Sequence, residues 1–389
     1  MVARDRVGLL YSYNENWIGG TYYILNIIHA LKTLEDSKKP VVVVLTEAVD
    51  NFNSLKEETF YPYLEYFQFP PKKTSYSLIE RLVNKLSRTI LGKNIIVKNK
   101  HANPNIDFLY PNEIPKLSVN LPKINWIPDF QEDHLPHLFS EKDIKRRKTK
   151  QREIYAKGDV VVLSSHNAKL DFLRLYPDAK AISYVLPFAV THPDFSMESI
   201  VAIREEYHLP QDYFFAPNQF WAHKNHIVVL KAIKHLKEQG KEVIVAMSGN
   251  ENDYRNKDNF TILKDYILAN NLEDNIRLLG FLPRTKQLCI FKNAVAIIQP
   301  SLFEGWSTVV EDSKALGKYI IASNISVHRE QITNNGAFFD PNNHIELAEC
   351  IERRFVKSDK IVDLNYNNSI FEFATNFYEL TQLAKGYNL

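Results

Sequence analysis

Short apolar runs of strand length alternate with stretches of helical periodicity along this chain, and the alternation occurs in two rounds. In the first, residues 7–11 form an apolar run, Gly19 and Gly20 follow, and Tyr23, Ile24, Ile27, Ile28 and Leu31 recur at helical spacing before a second run at 41–45. Strand, glycine turn, helix, strand is the opening of a Rossmann-like unit; the glycine pair is either a plain tight turn or a place where backbone approaches a ligand. Residues 108–110, 123–127 and 160–163 read as further strands, the last followed by Ser164-Ser165 and a helix. Pro187 interrupts the next run, and a second round begins: strands at 213–216 and 243–247 flank a helix at 227–237, and strands at 276–279 and 295–299 follow. The pattern predicts an α/β protein with a first domain over 1–186, a second over 187–365 and a terminal segment 366–389 that is helical at 370–383.

Length and composition agree. A chain of 389 residues with 45% hydrophobic content exceeds one compact core. Cys289 and Cys350 each lie in an apolar helical pattern and are expected to be buried free thiols, which suits a reducing cytoplasm. The N-terminal apolar run is too brief for a signal-peptide core, and no stretch reaches a membrane span, so the expected location is cytoplasmic. Net charge is +2, but residues 1–186 carry 27 basic and 21 acidic groups, whereas 187–389 carry 21 and 25. The surplus in the first half suits an anionic surface or substrate, and without a nucleic-acid motif it does not argue for DNA or RNA.

The most specific segment is Pro300-Ser301-Leu302-Phe303-Glu304-Gly305-Trp306-Ser307-Thr308-Val309-Val310-Glu311-Asp312, closing on Ala315-Leu316-Gly317. An apolar run, a glycine turn and a helix start bearing acids is an arrangement that presents backbone N–H groups to a phosphate. At these residues the chain resembles the retaining glycosyltransferases of family 4, the glycosyl transferases group 1. The landmarks Gly19-Gly20, Lys224 and His328-Arg329-Glu330 fit in the same order. The resemblance implies the GT-B fold, two facing Rossmann-like domains with an interdomain cleft, an N-terminal acceptor-binding domain, a C-terminal nucleotide-sugar domain and a last helix crossing back to the first. It implies a metal-independent hexosyltransferase with no cofactor, whose co-substrate is a nucleotide-diphosphate sugar.

By the same resemblance Glu304 accepts hydroxyls of the donor sugar, and Gly305, Trp306, Ser307 and Thr308 line the donor, with Trp306-Ser307 standing where the family often has Phe-Gly. The second acid of the family pattern falls on Asp312, counted back from Gly317 and with seven residues between it and Glu304. Asp312 is therefore assigned to the ribose, with a contribution from Glu311 left open; the other reading of Glu311 is a solvated acid at a helix start. Lys224 matches the family's phosphate-binding lysine and is suited to stabilise a departing diphosphate. The usual arginine position is Gln219, so one cation is missing, to be replaced by a helix N-terminus, Arg284 or a basic group of the first domain. Gly249 and Arg284, in turns after strands, are expected at the base, and Gly19 and Gly20 at the donor.

The loop Trp126-Ile127-Pro128-Asp129-Phe130-Gln131-Glu132-Asp133-His134 packs three acids and a histidine into its last six residues. Asp129 matches the Asp of the family's His-Asp pair while Pro128 replaces the His; Asp129 is assigned a catalytic, orienting role and His134 an acceptor contact. No zinc-type paired-His spacing is present, and no metal site is expected. Residues 77–91 place apolar side chains at helical spacing among Arg81, Lys85 and Arg88, and 142–152 hold seven cations in eleven residues. Both read either as ordinary solvated helices or as contacts to an anionic membrane surface. The expected function is transfer of a hexose, mannose or rhamnose preferred, to a saccharide or lipid-linked glycan acceptor in surface polysaccharide biosynthesis. The alternatives are a soluble disaccharide-synthase-type enzyme and a catalytically silent glycan-binding partner subunit.

Overall fold

A computed structural model of the chain describes residues 4–11, 18–70, 77–91, 95, 103–111, 121–356, 361–363 and 365–386. It divides into two compact units, residues 1–126 with 374–389, and residues 127–373. In the first, β1 (Arg6–Leu10), β2 (Val41–Thr46), β3 (Leu64–Gln68) and β4 (Phe108–Tyr110) form a parallel sheet in the order β3-β2-β1-β4. The apolar run of β2 is buried almost throughout, as expected where helices cover both faces of a parallel sheet. The helix Ile18–Leu31 follows β1, and Gly19 and Gly20 lie inside its first turn rather than in a turn before it. On this helix the Tyr23 hydroxyl bonds that of Tyr110 at 2.7 Å and the Tyr23 ring stacks on Trp126 at 4.2 Å. Residues 374–386, from the terminal helix Asn367–Gly386, complete this unit: Phe377 meets Tyr110 edge-on at 5.7 Å, and Lys385 pairs with Asp5 at 2.5 Å.

A three-stranded sheet, β5 (Ile124–Ile127), β6 (Val160–Leu163) and β7 (Ile182–Val185), starts where the first unit ends. The remaining strands are β8 (Phe214–Ala216), β9 (Val245–Met247), β10 (Ile276–Leu278), β11 (Ala296–Gln299), β12 (Ile320–Ser323) and β13 (Gly336–Phe339). They form one parallel six-stranded sheet in the order β10-β9-β8-β11-β12-β13. Successive residues alternate between its two faces: Phe214, Val245, Met247, Ile298 and Ile321 belong to one core cluster, and Phe215, Ala246, Ile297 and Ala322 to the other. Residues 127–186, read from sequence as the end of a first domain, cluster with the residues beyond 187. Polar ties join them: Arg255 donates to Gln131 at 3.0 Å, and Glu330 accepts the amides of His166 and Asn167 at the start of the helix His166–Leu175, while the rings of His134 and Phe303 pack at 4.8 Å. Cys289 and Cys350 are buried and unpaired, as expected.

Three histidines are buried in the second unit. Desolvation pushes His226, packed 4.7 Å from the Phe220 ring, down to about 3, and lowers His223 and His328 as well. All three are neutral in the folded protein, while the unfolded chain takes up their protons below about pH 6.5. Their contribution to stability is therefore complete above that pH and is lost as pH falls toward 3. Urea unfolding at pH 7 and pH 5 should show this loss, and His226→Leu should reduce the slope by up to about 1.4 kcal/mol per pH unit. An unchanged slope in that variant would show that His226 is not buried in its neutral form.

Candidate active site

The chain runs outward from β8 to β9 and β10, then crosses to β11 and continues to β12 and β13, so the strand order reverses between β8 and β11. At such a reversal the loops leaving the two carboxyl ends part in opposite directions and open a crevice. Lys224 follows β8 and Glu304 follows β11. Lys224 ends the short 3-10 turn Ala222–Lys224, and Asn225, at φ 55°, reverses the chain into the helix His226–Glu238. The Asn225 amide donates to the carbonyls of Pro300 (3.1 Å) and Pro341 (2.8 Å), tying this loop to the start of the other. The Lys224 ammonium and Glu304 Oε1 are 2.6 Å apart, both largely shielded from solvent. The same Oε1 accepts from Gln299 Nε2 at 2.9 Å. Gln219 is half-buried in the β8 loop. Gly249, after β9, has no room for a side chain: a Cβ there would lie 2.3 Å from the Asn218 carbonyl.

Beyond Glu304 the chain turns into the helix Thr308–Ala315, capped by Ser307, whose hydroxyl accepts the Val310 amide. The Ser307 amide itself donates to Gln331 at 2.9 Å, and Trp306 Nε1 donates to the Phe188 carbonyl at 2.9 Å. Among the described residues the amides of Thr308 and Val309 have no acceptor.

The two acids that follow have different environments. Glu311 is buried rather than solvated, and both of its oxygens are engaged, by Lys314 (2.9 and 3.1 Å), Gln331 (3.0 Å) and the Tyr366 hydroxyl (2.6 Å). Asp312 is buried too, but Arg284 (2.5 Å) and His192 (2.8 Å) both reach its Oδ1. Burial alone raises a carboxyl's pKa; Arg284 and His192 outweigh that and hold Asp312 below its ordinary value. Arg284, which also donates to Gln287, is thus committed to Asp312 and is no free replacement for the cation missing at Gln219.

The loop after β5 sits directly on the Glu304 turn. A Cβ on Gly305 would fall 2.3 Å from the Pro128 carbonyl and 2.9 Å from Asp129 Cβ. Asp129 pairs with Arg147 at 2.5 Å, the buried Glu132 with the same Arg147 at 2.6 Å and with Gln151 at 2.6 Å, and Asp133 with Lys148. Arg147 and Lys148 come from the basic helix Glu141–Lys157, so part of its charge turns inward onto this loop. His134 donates to Asp171 at 2.6 Å, and its ring lies 4.8 Å from Phe303. No group of three or more metal-ligating side chains occurs among the described residues.

The second unit thus gathers Glu304, Lys224, Gln219, Gly249, Arg284, Gly305, Trp306, Ser307, Thr308, Asp312, Asp129 and His134, while Gly19 and Gly20 belong to the first. Sequence reasoning passed over Gln299, Asn218, His192 and Tyr366. Gln299 carried the one available signal, a lone amide ending an apolar strand just before the Pro-Ser of the motif.

Residues 202–368 match the family model of glycosyl transferases group 1. Among curated proteins none matches the chain by sequence. Solved structures match over nearly the whole chain. A glycosyltransferase from Rickettsia africae ESF-5 has a TM-score of 0.66 at 15% identity, covering 98% of each chain. Anabaena HepE, solved with UDP and glucose, has a TM-score of 0.60 at 15% identity, covering 98% of this chain and 95% of its own. WaaG, a glycosyltransferase involved in lipopolysaccharide biosynthesis, has a TM-score of 0.56 at 11% identity, covering 98% of each chain. With its parallel α/β sheets and structural matches along nearly its whole length the chain has the GT-B fold, and its residues 202–368, which include Lys224, Glu304 and Asp312, are similar to the glycosyl transferases group 1.

Proposed function

We propose that this chain is a retaining, metal-independent hexosyltransferase. It would move a hexose, mannose or rhamnose first, from a nucleotide-diphosphate sugar to a lipid-linked glycan acceptor in surface polysaccharide assembly, at the inner face of the cytoplasmic membrane. The observation that carries the reading is the Lys224–Glu304 pair at the strand-order reversal. Both bonds to Glu304 fall on Oε1, which leaves Oε2 to accept sugar hydroxyls. Lys224 stands where negative charge grows on a departing diphosphate, and the amides of Thr308 and Val309 add the positive end of a helix. In this reading those groups, rather than a divalent cation, neutralise the diphosphate. Asp312 Oδ2 accepts the ribose hydroxyls, while Glu311, saturated within the fold, shapes the helix. HepE, similar in fold, was solved with UDP, which supports a nucleotide-sugar donor.

The helix Leu78–Leu91 supports the lipid part of the reading. Its polar Asn84 and Ser87 are buried, whereas Ile79 (75% exposed), Leu82 (61%) and Leu86 (57%) face outward beside the exposed Lys85 and Arg88. Outward apolar residues flanked by cations suit the boundary between acyl chains and anionic headgroups. Among the described residues no helix is long and apolar enough to cross a membrane, so any contact through this helix would be peripheral. The similarity in fold to WaaG is consistent with a glycolipid acceptor.

Glu304→Gln and Lys224→Ala should each lower turnover of the nucleotide sugar by at least ~100-fold, and chelators should leave the parent's activity unchanged. Near-normal turnover in both folded variants would refute the site. In calorimetry with the bare nucleoside diphosphate, Asp312→Asn should cost about 1–3 kcal/mol of binding. Glu311→Gln should lower the melting temperature and leave nucleotide affinity of the folded protein intact; the opposite pattern would assign the ribose to Glu311. Leu82→Asp with Leu86→Asp should reduce flotation with phosphatidylglycerol vesicles at least ~10-fold and spare turnover of a water-soluble acceptor. Equal flotation would remove the membrane role.

A further inference from the structure

Besides Lys224, Glu304 Oε1 has a second bonding partner, Gln299. Gln299 is the last residue of β11 and is fully buried, as is Asn218 in the loop after β8. Asn218 Nδ2 donates to Gln299 Oε1 at 2.7 Å, across the strand-order reversal. With its oxygen held there, the Gln299 amide nitrogen is turned toward three acceptors: Glu304 Oε1 at 2.9 Å, the Ser307 hydroxyl at 3.0 Å and the Ser301 hydroxyl at 3.2 Å. A carboxylate only accepts, so this amide orientation is the one compatible with an ionised Glu304. The Asn218 end is rigid in turn, because Gly249 leaves no space beside the Asn218 carbonyl.

The second shared target is as informative as the first. Ser307 caps the helix whose first amides, Thr308 and Val309, are proposed to meet the diphosphate, and Gln299 bonds both that cap and Glu304. Lys224, the other group on Oε1, is a point charge on a flexible stem, and under the proposed function it also serves the leaving phosphate. A charge that does double duty cannot also fix the carboxylate's angle. The buried amide can.

We infer that Gln299, held by Asn218, is a positioning residue that locks Glu304 Oε1 so that Oε2 is presented to the donor sugar. This rests on the sugar-binding role proposed for Glu304. Gln299→Met keeps the volume and removes the donor; it should lower kcat/KM for the nucleotide sugar about 10–100-fold, the loss expected for one hydrogen bond to a charged group. Affinity for the bare nucleoside diphosphate, which has no sugar, should stay within about twofold, whereas a merely structural role would weaken both. In a Glu304→Gln background Gln299→Met should add little, because its target is already altered.

Gln299→Glu decides the matter if Gln299→Met does not fold. It puts a second carboxylate beside Glu304, and that group donates only while protonated, so turnover should fall with rising pH at values where the parent's is flat. A parent-like pH profile, or normal turnover in folded Gln299→Met, overturns the inference while a severe Glu304→Gln effect leaves the site standing. If Glu304→Gln is itself silent, the site reading fails and takes this inference with it.

Discussion

An ionised carboxylate with only a tenth of its side chain exposed cannot stand at the end of a parallel sheet without compensation, and Glu304 is such a group. Lys224 and Gln299 supply the compensation at one oxygen, and much of the second unit's architecture follows from bringing them there. Lys224 comes from the loop after β8 and Gln299 from the end of β11, so the acid is held only if those strands are neighbours. Asn225, at positive φ and bonded to Pro300 and Pro341, keeps the first loop against the second. Gly249 and Gly305 are required where a Cβ would strike backbone of the loops packed around the pair. A buried ion pair is weak evidence for stability, and under the proposed function this one is the cost of keeping a charge ready for the donor.

The alternation of apolar runs and helical periods was sufficient to place the strands that end at the site, because strands covered on both faces are nearly continuous apolar segments. β8, β9 and β11 read clearly for that reason. β3 did not: it lies at a sheet edge, and its Glu65, paired with Arg6, breaks the apolar run. Nor did β13, another edge strand, which opens on Gly336, where a Cβ would press against Ile332. The hidden part of the site is polar and buried. Gln299 and Asn218 look like strand-end and turn residues, since a hydrogen-bond partner 81 residues away leaves no periodic trace.

Charge counting was similarly blunt. The basic run of 142–152 looked like one solvated or membrane-facing surface, yet Arg147 and Lys148 turn inward to neutralise Asp129, Glu132 and Asp133. The acids and the cations answer each other across 15 to 18 residues of sequence. By contrast, the helix Leu78–Leu91 is amphipathic in sequence and inverted in place, with its apolar side outward. Periodicity reveals that a helix has two faces; it carries no information about which one the rest of the chain covers.

Glu311 and Asp312 show how one residue of register separates structure from chemistry. Neighbours on a helix point about 100° apart, so two adjacent acids cannot face the same partners. One turns to Tyr366, Gln331 and Lys314 and spends both oxygens; the other meets Arg284 and His192 on a single oxygen. An acid saturated by the fold has no lone pair left for a ligand, whereas one anchored through Oδ1 is oriented and still has Oδ2. Arg284 is under the same constraint with respect to Gln219, which stands where the resembled family has a cation. Arg284 is the nearest substitute in sequence logic, but withdrawing it from Asp312 would leave that buried acid with His192 alone, and breaking a buried pair is strongly destabilising. Under the proposed function the diphosphate's charge therefore falls mainly on Lys224 and on the amides of Thr308 and Val309, and Gln299 is the second partner that still holds Glu304 when Lys224 turns to the phosphate.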